Sequence, residues 1–142
     1  MAIQDDVGKG SVILWEDYEF LETGERKNSH FLVLTDCKYG SFLAIRATTQ
    51  LEYYENGGSR MTRNFLIIEL GREKVFTRKV AIDFTRIKIL PLEKMNSIWG
   101  SGLKGLGKIS NGLLDDVDRI VSESRVIERN YKTWIRESPR MS

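Results

Sequence analysis

The sequence predicts a mainly β domain, a small and strongly bent sheet or barrel packed by a long C-terminal helix. Three observations predict it. Short apolar runs rich in β-branched and aromatic residues recur up to Pro91, separated by Gly, Asn, Asp and Lys clusters. Helical spacing of apolar residues begins only after that proline. The chain of 142 residues, 41% hydrophobic and 30% charged, suits one domain with a core of its own.

The elements follow in order. Residues 1–10 are polar and punctuated by glycine. "SVILW" (11–15) reads as the first strand, and the acidic and "TGERKN" stretches after it as a loop or wide hairpin. "HFLVLTD" (30–36) is the second strand and "CKYG" a turn. "SFLAIRATT" (41–49) is apolar at nearly every position until Arg46, the mark of a central strand. Residues 50–64, with "ENGGSR", break the pattern as one long loop. "NFLIIEL" (64–70) restores it. "VAIDFTRIKILPL" then reads as one extended strand, with Val80, Ile82 and Phe84 on one face, Ile87 and Ile89 in phase with each other beyond them, and Pro91 as its end. That makes five or six strands, with the barrel at about 9–91.

The helical part spans about 92–136. Leu92, Met95, Ile98 and Trp99 stand at helical spacing before glycines 100, 102, 105 and 107 interrupt it. Leu113, Leu114, Val117, Ile120, Val121, Ser124, Ile127, Tyr131, Trp134 and Ile135 then read as one long amphipathic helix. Ser110 or Asn111 is its N-cap, with Asp115 and Asp116 near the positive start. Residues 137–142 form a polar tail.

Composition removes several function classes. A single cysteine, Cys37, provides neither a disulfide framework nor a thiolate cluster, and a single histidine provides no multi-histidine metal site. "GGSR" lacks the lysine and the following helix of a phosphate-binding loop, and "GSGLKGLG" follows a helical stretch rather than a strand. No cofactor is expected. With no signal-peptide order and no apolar run of membrane-spanning length, the expected location is cytoplasmic. The net charge of +2 neither demands nor excludes a nucleic-acid partner.

What remains is a set of basic and hydroxyl side chains at strand ends. Lys27 and His30 open the second strand, and Arg46, Thr48 and Thr49 close the third. Arg60 and Arg63 share the long loop with Tyr53 and Tyr54, and Arg78 and Lys79 precede "VAIDF". Arginine pairs with phosphate oxygens, hydroxyls donate to them, and tyrosines stack on unpaired bases. The same residues singly are ordinary edge protection and strand formers, so only their meeting at one rim makes a site.

In order and spacing, "GSVILWEDYEF", "GERKNSHFLVLTD", "FLAIRATTQ", "VFTRKVAIDFTRIKILPL" and "LGKISNGLLDDVDRIV" resemble the PemK/MazF-like toxin family over about residues 9–125. The resemblance implies an SH3-like or CcdB-like barrel with a C-terminal helix, a homodimer, and a metal-independent endoribonuclease in which a 2′-hydroxyl of single-stranded RNA attacks the adjacent phosphate. It implies a cognate antitoxin protein as partner and no membrane. On this reading the catalytic residues are Arg46, Thr48, Thr49, Arg78 and His30, with His30 moving protons. Lys27, Tyr53, Arg60, Arg63 and Lys79 hold RNA. Two positions depart from the family pattern: Ser29-His30 stands where an Arg-Pro is usual, and Val80 where a Ser or Thr is usual. They open the alternative of a non-catalytic RNA- or protein-binding module of the same fold. An unrelated small β domain with a structural role is the third reading.

Overall fold

A computed structural model describes residues 3–56 and 64–141. After a short 3-10 turn at Ile3–Asp5 come β1 (Ser11–Glu19), β2 (Arg26–Val33), β3 (Ser41–Thr48), α1 (Glu52–Asn56), β4 (Phe65–Ile68), β5 (Val80–Asp83) and β6 (Lys88–Pro91). The chain finishes with α2 (Leu92–Ile98), β7 (Leu103–Lys108), α3 (Asn111–Glu123) and α4 (Arg129–Glu137). The protein is mainly β, as its strand-forming runs predict. All seven strands pair antiparallel in the order β4-β5-β3-β2-β1-β7, with β6 also beside β3. This is an open sheet whose pairings run from β4 at one end to β7 at the other.

β3 is the centre, and period-two alternation divides its side chains between two cores. Leu43, Ile45 and Ala47 face one, where α3 and α4 contribute Leu113, Val117, Ile120, Val121 and Ile135. Phe42 and Ala44 face the other, built with Ile3, Val7, Trp15, Phe31, Met95 and Leu103. Burial on both faces explains the near-continuous apolar run of this strand.

Three departures from the sequence reading have clear physical causes. The expected long strand from Val80 breaks at Asp83, whose Oδ1 accepts hydrogen bonds from Thr85 N (2.9 Å) and Thr85 Oγ1 (2.6 Å). This side-chain turn breaks the alternation: Leu90 lies an even number of residues from Val80, Ile82 and Phe84 yet packs in the other core, and Ile89 is exposed. The supposed helical span 92–136 contains β7, which pairs with β1 from Ser11↔Lys108 to Trp15↔Leu103. Its glycines serve contact rather than flexibility. A Cβ on Gly105 would lie 3.3 Å from Trp99, and one on Gly107 (φ +133) 2.9 Å from Val75 Cγ1. The expected single terminal helix is two, because the Ser124 hydroxyl accepts from Val126 N and Ile127 N and donates to Asn64 Oδ1.

The start of α3 was legible. Ser110 is the N-cap and accepts from Leu113 N at 3.2 Å. The buried Glu73 carboxylate in turn accepts from Ser110 N (2.6 Å) and Ser110 Oγ (2.8 Å), placing negative charge at the helix start. Near the opposite end of the chain, buried Lys9 donates to Ile135 O and pairs with Asp118, each at 2.8 Å. Arg140 also binds Asp115 and Asp118, and Met141 N donates to Lys9 O, so the last residues are fastened to the start of β1.

Candidate functional site

Beyond Ala44, β3 keeps its alternation but changes its chemistry. Arg46 and Thr48 continue the face of Phe42 and Ala44, past the edge of the apolar core. They open into a groove of about 1110 Å³. The β1–β2 connection forms one wall with Phe20, Glu22 and Glu25, and α1 forms another with Glu52, Tyr53 and Tyr54. Asp83, Arg86 and Lys88 close it from the β5–β6 turn, and Lys27 from β2.

Arg46 is the unusual member. Its guanidinium lies 4.7 Å from the centroid of the Phe20 ring, and its buried Nε has no hydrogen-bond partner. Burial first, then the nearby Arg86, push its pKa down, while Glu25 opposes them. An arginine remains charged through such a shift. No carboxylate among the described residues forms an ion pair with it. The other lining cations are each compensated: Lys27 by Glu25 (3.4 Å), Arg86 by Asp83 (3.6 Å) and Lys88 by Glu22 (3.8 Å). Thr48 Oγ1 accepts from Gln50 N at 3.1 Å, which leaves the hydroxyl proton free to be donated.

The wall carrying α1 is held by one buried bond. Tyr54 Oη donates to Asp83 Oδ2 at 2.8 Å, with Tyr54 6% and Asp83 3% exposed. Burial, then the bond to the Asp83 carboxylate, raise the Tyr54 pKa to about 12. Tyr54 packs on Phe65, 5.1 Å between ring centroids, and leaves its neighbour Tyr53 58% exposed to the groove.

The structure thus brings together Arg46, Thr48, Lys27 and Tyr53 of the residues singled out by sequence. Thr49 follows Thr48 but is exposed outside the lining. His30 stands opposite Ala47 while Arg46 stands opposite Phe31, so alternation puts His30 on the other face of the sheet. Burial, then Arg46, lower its pKa and favour the neutral ring. Arg78 is exposed and outside the groove. Lys79 is also outside it, committed to Glu55 (2.9 Å) and Glu69 (3.6 Å). Arg60 and Arg63 lie outside the described residues.

Phe20, Asp83 and Arg86 were missed by sequence reasoning. The signal available for Asp83 was a carboxylate inside an apolar strand with threonine two residues later, the pattern of a side-chain turn. Among the described residues no cluster of His, Cys, Asp or Glu is placed to hold a metal ion. Burial, then Asp36, raise the Cys37 pKa, the opposite of what an activated thiol needs. Among the described residues no helix is long and apolar enough to cross a membrane.

No family model matches the sequence, and no curated protein matches it.

Proposed function

We propose that the protein binds single-stranded RNA in the Arg46 groove and acts as the metal-independent endoribonuclease toxin of a type II toxin–antitoxin pair. The observation that carries the reading is Arg46, a partly buried guanidinium with no carboxylate partner among the described residues, on the same strand face as the Thr48 hydroxyl. Arg46 lines the groove, where an arriving anion balances a charge that burial has partly desolvated. Phosphate suits it, because a guanidinium offers paired donors to two phosphate oxygens. Exposed Tyr53 supplies the stacking surface for a flanking base. The resemblance in sequence order supports the family, its SH3-like or CcdB-like barrel, a homodimer, a cytoplasmic setting and an antitoxin partner.

In this reading Arg46 and Thr48 hold the scissile phosphate while the adjacent 2′-hydroxyl attacks phosphorus. The 5′-oxygen leaves and takes a proton from solvent, and a 2′,3′-cyclic phosphate remains. The proton of the attacking hydroxyl goes to a groove carboxylate. Glu52 is the one without a cation partner among the described residues, whereas His30 faces away. A second reading, a non-catalytic RNA- or protein-binding module, is favoured by that placement of His30 and by Val80.

Incubation with mixed-sequence RNA in EDTA tests both. Cyclic-phosphate ends that disappear with Arg46→Met support the toxin reading. Retention without cleavage, also lost in Arg46→Met, transfers the groove to the second reading. Neither cleavage nor retention removes RNA from both.

A further inference from the structure

The geometry points to a groove that reads a single phosphodiester between two bases, rather than a tract of phosphates; this rests on the RNA reading above. Surfaces that follow a nucleic-acid backbone are strongly cationic, because each phosphate needs a charge to replace its counterions. Among the described residues this groove is balanced. Lys27, Arg46, Arg86 and Lys88 line it against Glu22, Glu25, Glu52 and Asp83, four charges of each sign. Three of the four cations already lie 3.4 to 3.8 Å from a carboxylate. A second phosphate placed at any of them would meet that carboxylate as well, and like charges at such separations repel.

Arg46 alone among these described lining cations can meet a phosphate without displacing an acid. Phe20 packs against the guanidinium, and both side chains line the groove. Flanking nucleotides are then held by their bases. Exposed Tyr53 offers a ring, and the Arg46 plane is itself a stacking surface. The lining carboxylates accept hydrogen bonds from amino groups on base edges, and they disfavour further phosphates. The preferred substrate is a dinucleotide step of single-stranded RNA, with length beyond it adding little.

Salt dependence measures the number of phosphates directly. For single strands the logarithm of affinity falls with the logarithm of salt with a slope of about −0.7 per neutralised phosphate. One phosphate therefore gives about a fivefold loss for each tenfold rise in salt, whereas four would give a loss of several hundredfold.

The experiment uses a labelled 2′-O-methyl hexanucleotide, which lacks the attacking hydroxyl, competed by an unlabelled 2′-O-methyl dinucleoside monophosphate and by free nucleosides. The expected result is a slope near −0.7, competition by the dinucleotide within about tenfold of the unlabelled hexanucleotide, and none by nucleosides. Arg46→Met should flatten the slope, and Arg46→Lys should retain it. A slope steeper than about −2, or a dinucleotide that competes no better than a nucleoside, overturns the single-phosphate inference while leaving RNA binding intact. Absence of hexanucleotide binding at low salt removes the RNA reading itself, and this inference with it.

Discussion

Replacing Tyr54 by phenylalanine removes one oxygen and keeps the ring on Phe65. The lost bond is the 2.8 Å contact to Asp83 Oδ2, between groups 6% and 3% exposed. Hydrogen bonds to charged acceptors contribute about 1.5–3 kcal/mol. Asp83 Oδ1 keeps both bonds from Thr85, and Arg86 stays 3.6 Å from Oδ2. The loss should therefore fall in the middle, about 2 kcal/mol, or about 4–8 °C in Tm for a chain of this size.

The sign of the pH dependence sharpens the test. Tyrosine ionises near 10.0 when unfolded, and Tyr54 at about 12 when folded. Between those values the unfolded chain has released a proton that the folded chain retains, so stability falls as pH rises. At pH 11 the wild type should have lost about 1.4 kcal/mol that the phenylalanine variant never had. Urea unfolding at pH 7 and pH 11 should show a gap of about 2 kcal/mol shrinking to below 1. A gap absent at pH 7, or unchanged at pH 11, refutes the assignment of that bond as the tether of α1.

Other perturbations test neighbouring claims. Because burial lowers the His30 pKa, the unfolded chain takes up a proton first as pH falls below the ordinary 6.5, and stability drops. His30→Gln should lose that part of the decline in urea midpoints between pH 7.5 and 5.5, and under the proposed nuclease reading should leave cleavage within a fewfold of wild type. A hundredfold loss of cleavage would restore His30 as the proton carrier. Gly107→Ala forces a Cβ to within 2.9 Å of Val75 Cγ1 at φ +133 and should cost about 1–3 kcal/mol. Adding Val75→Ala should recover part of that cost in a thermal melt. An unaltered Tm for the single variant would contradict the packing of β7.

The strands that could be read were those whose side chains fill a core. β3 carries its burial in its composition, and Arg46 stood out because it interrupts an apolar run. β7 was hidden because its contacts belong to other residues: Trp99 and Val75 occupy the space that side chains on Gly105 and Gly107 would take. The break at Ser124 was hidden for the opposite reason, since apolar spacing continues through it and only one hydroxyl redirects the backbone. For the site, sequence supplied the groups but not their facing. His30 and Arg46 belong to adjacent strands, and a difference of one register position separates them across the sheet. Asp83 looked like an interruption in a strand, although its bonds both turn the chain and hold the groove wall.

The ladder between β1 and β7 has a consequence for biosynthesis. β1 is synthesised well before β7, yet β7 is one of its two neighbours, paired from Ser11↔Lys108 to Trp15↔Leu103. Until that late segment leaves the ribosome, β1 presents a bare edge to whatever else is in reach. Closing so long a loop is slow by the standards of local hairpins. Synthesis halted before Leu103 should yield a chain inclined to aggregate, and the finished sheet forms only when its last strand arrives.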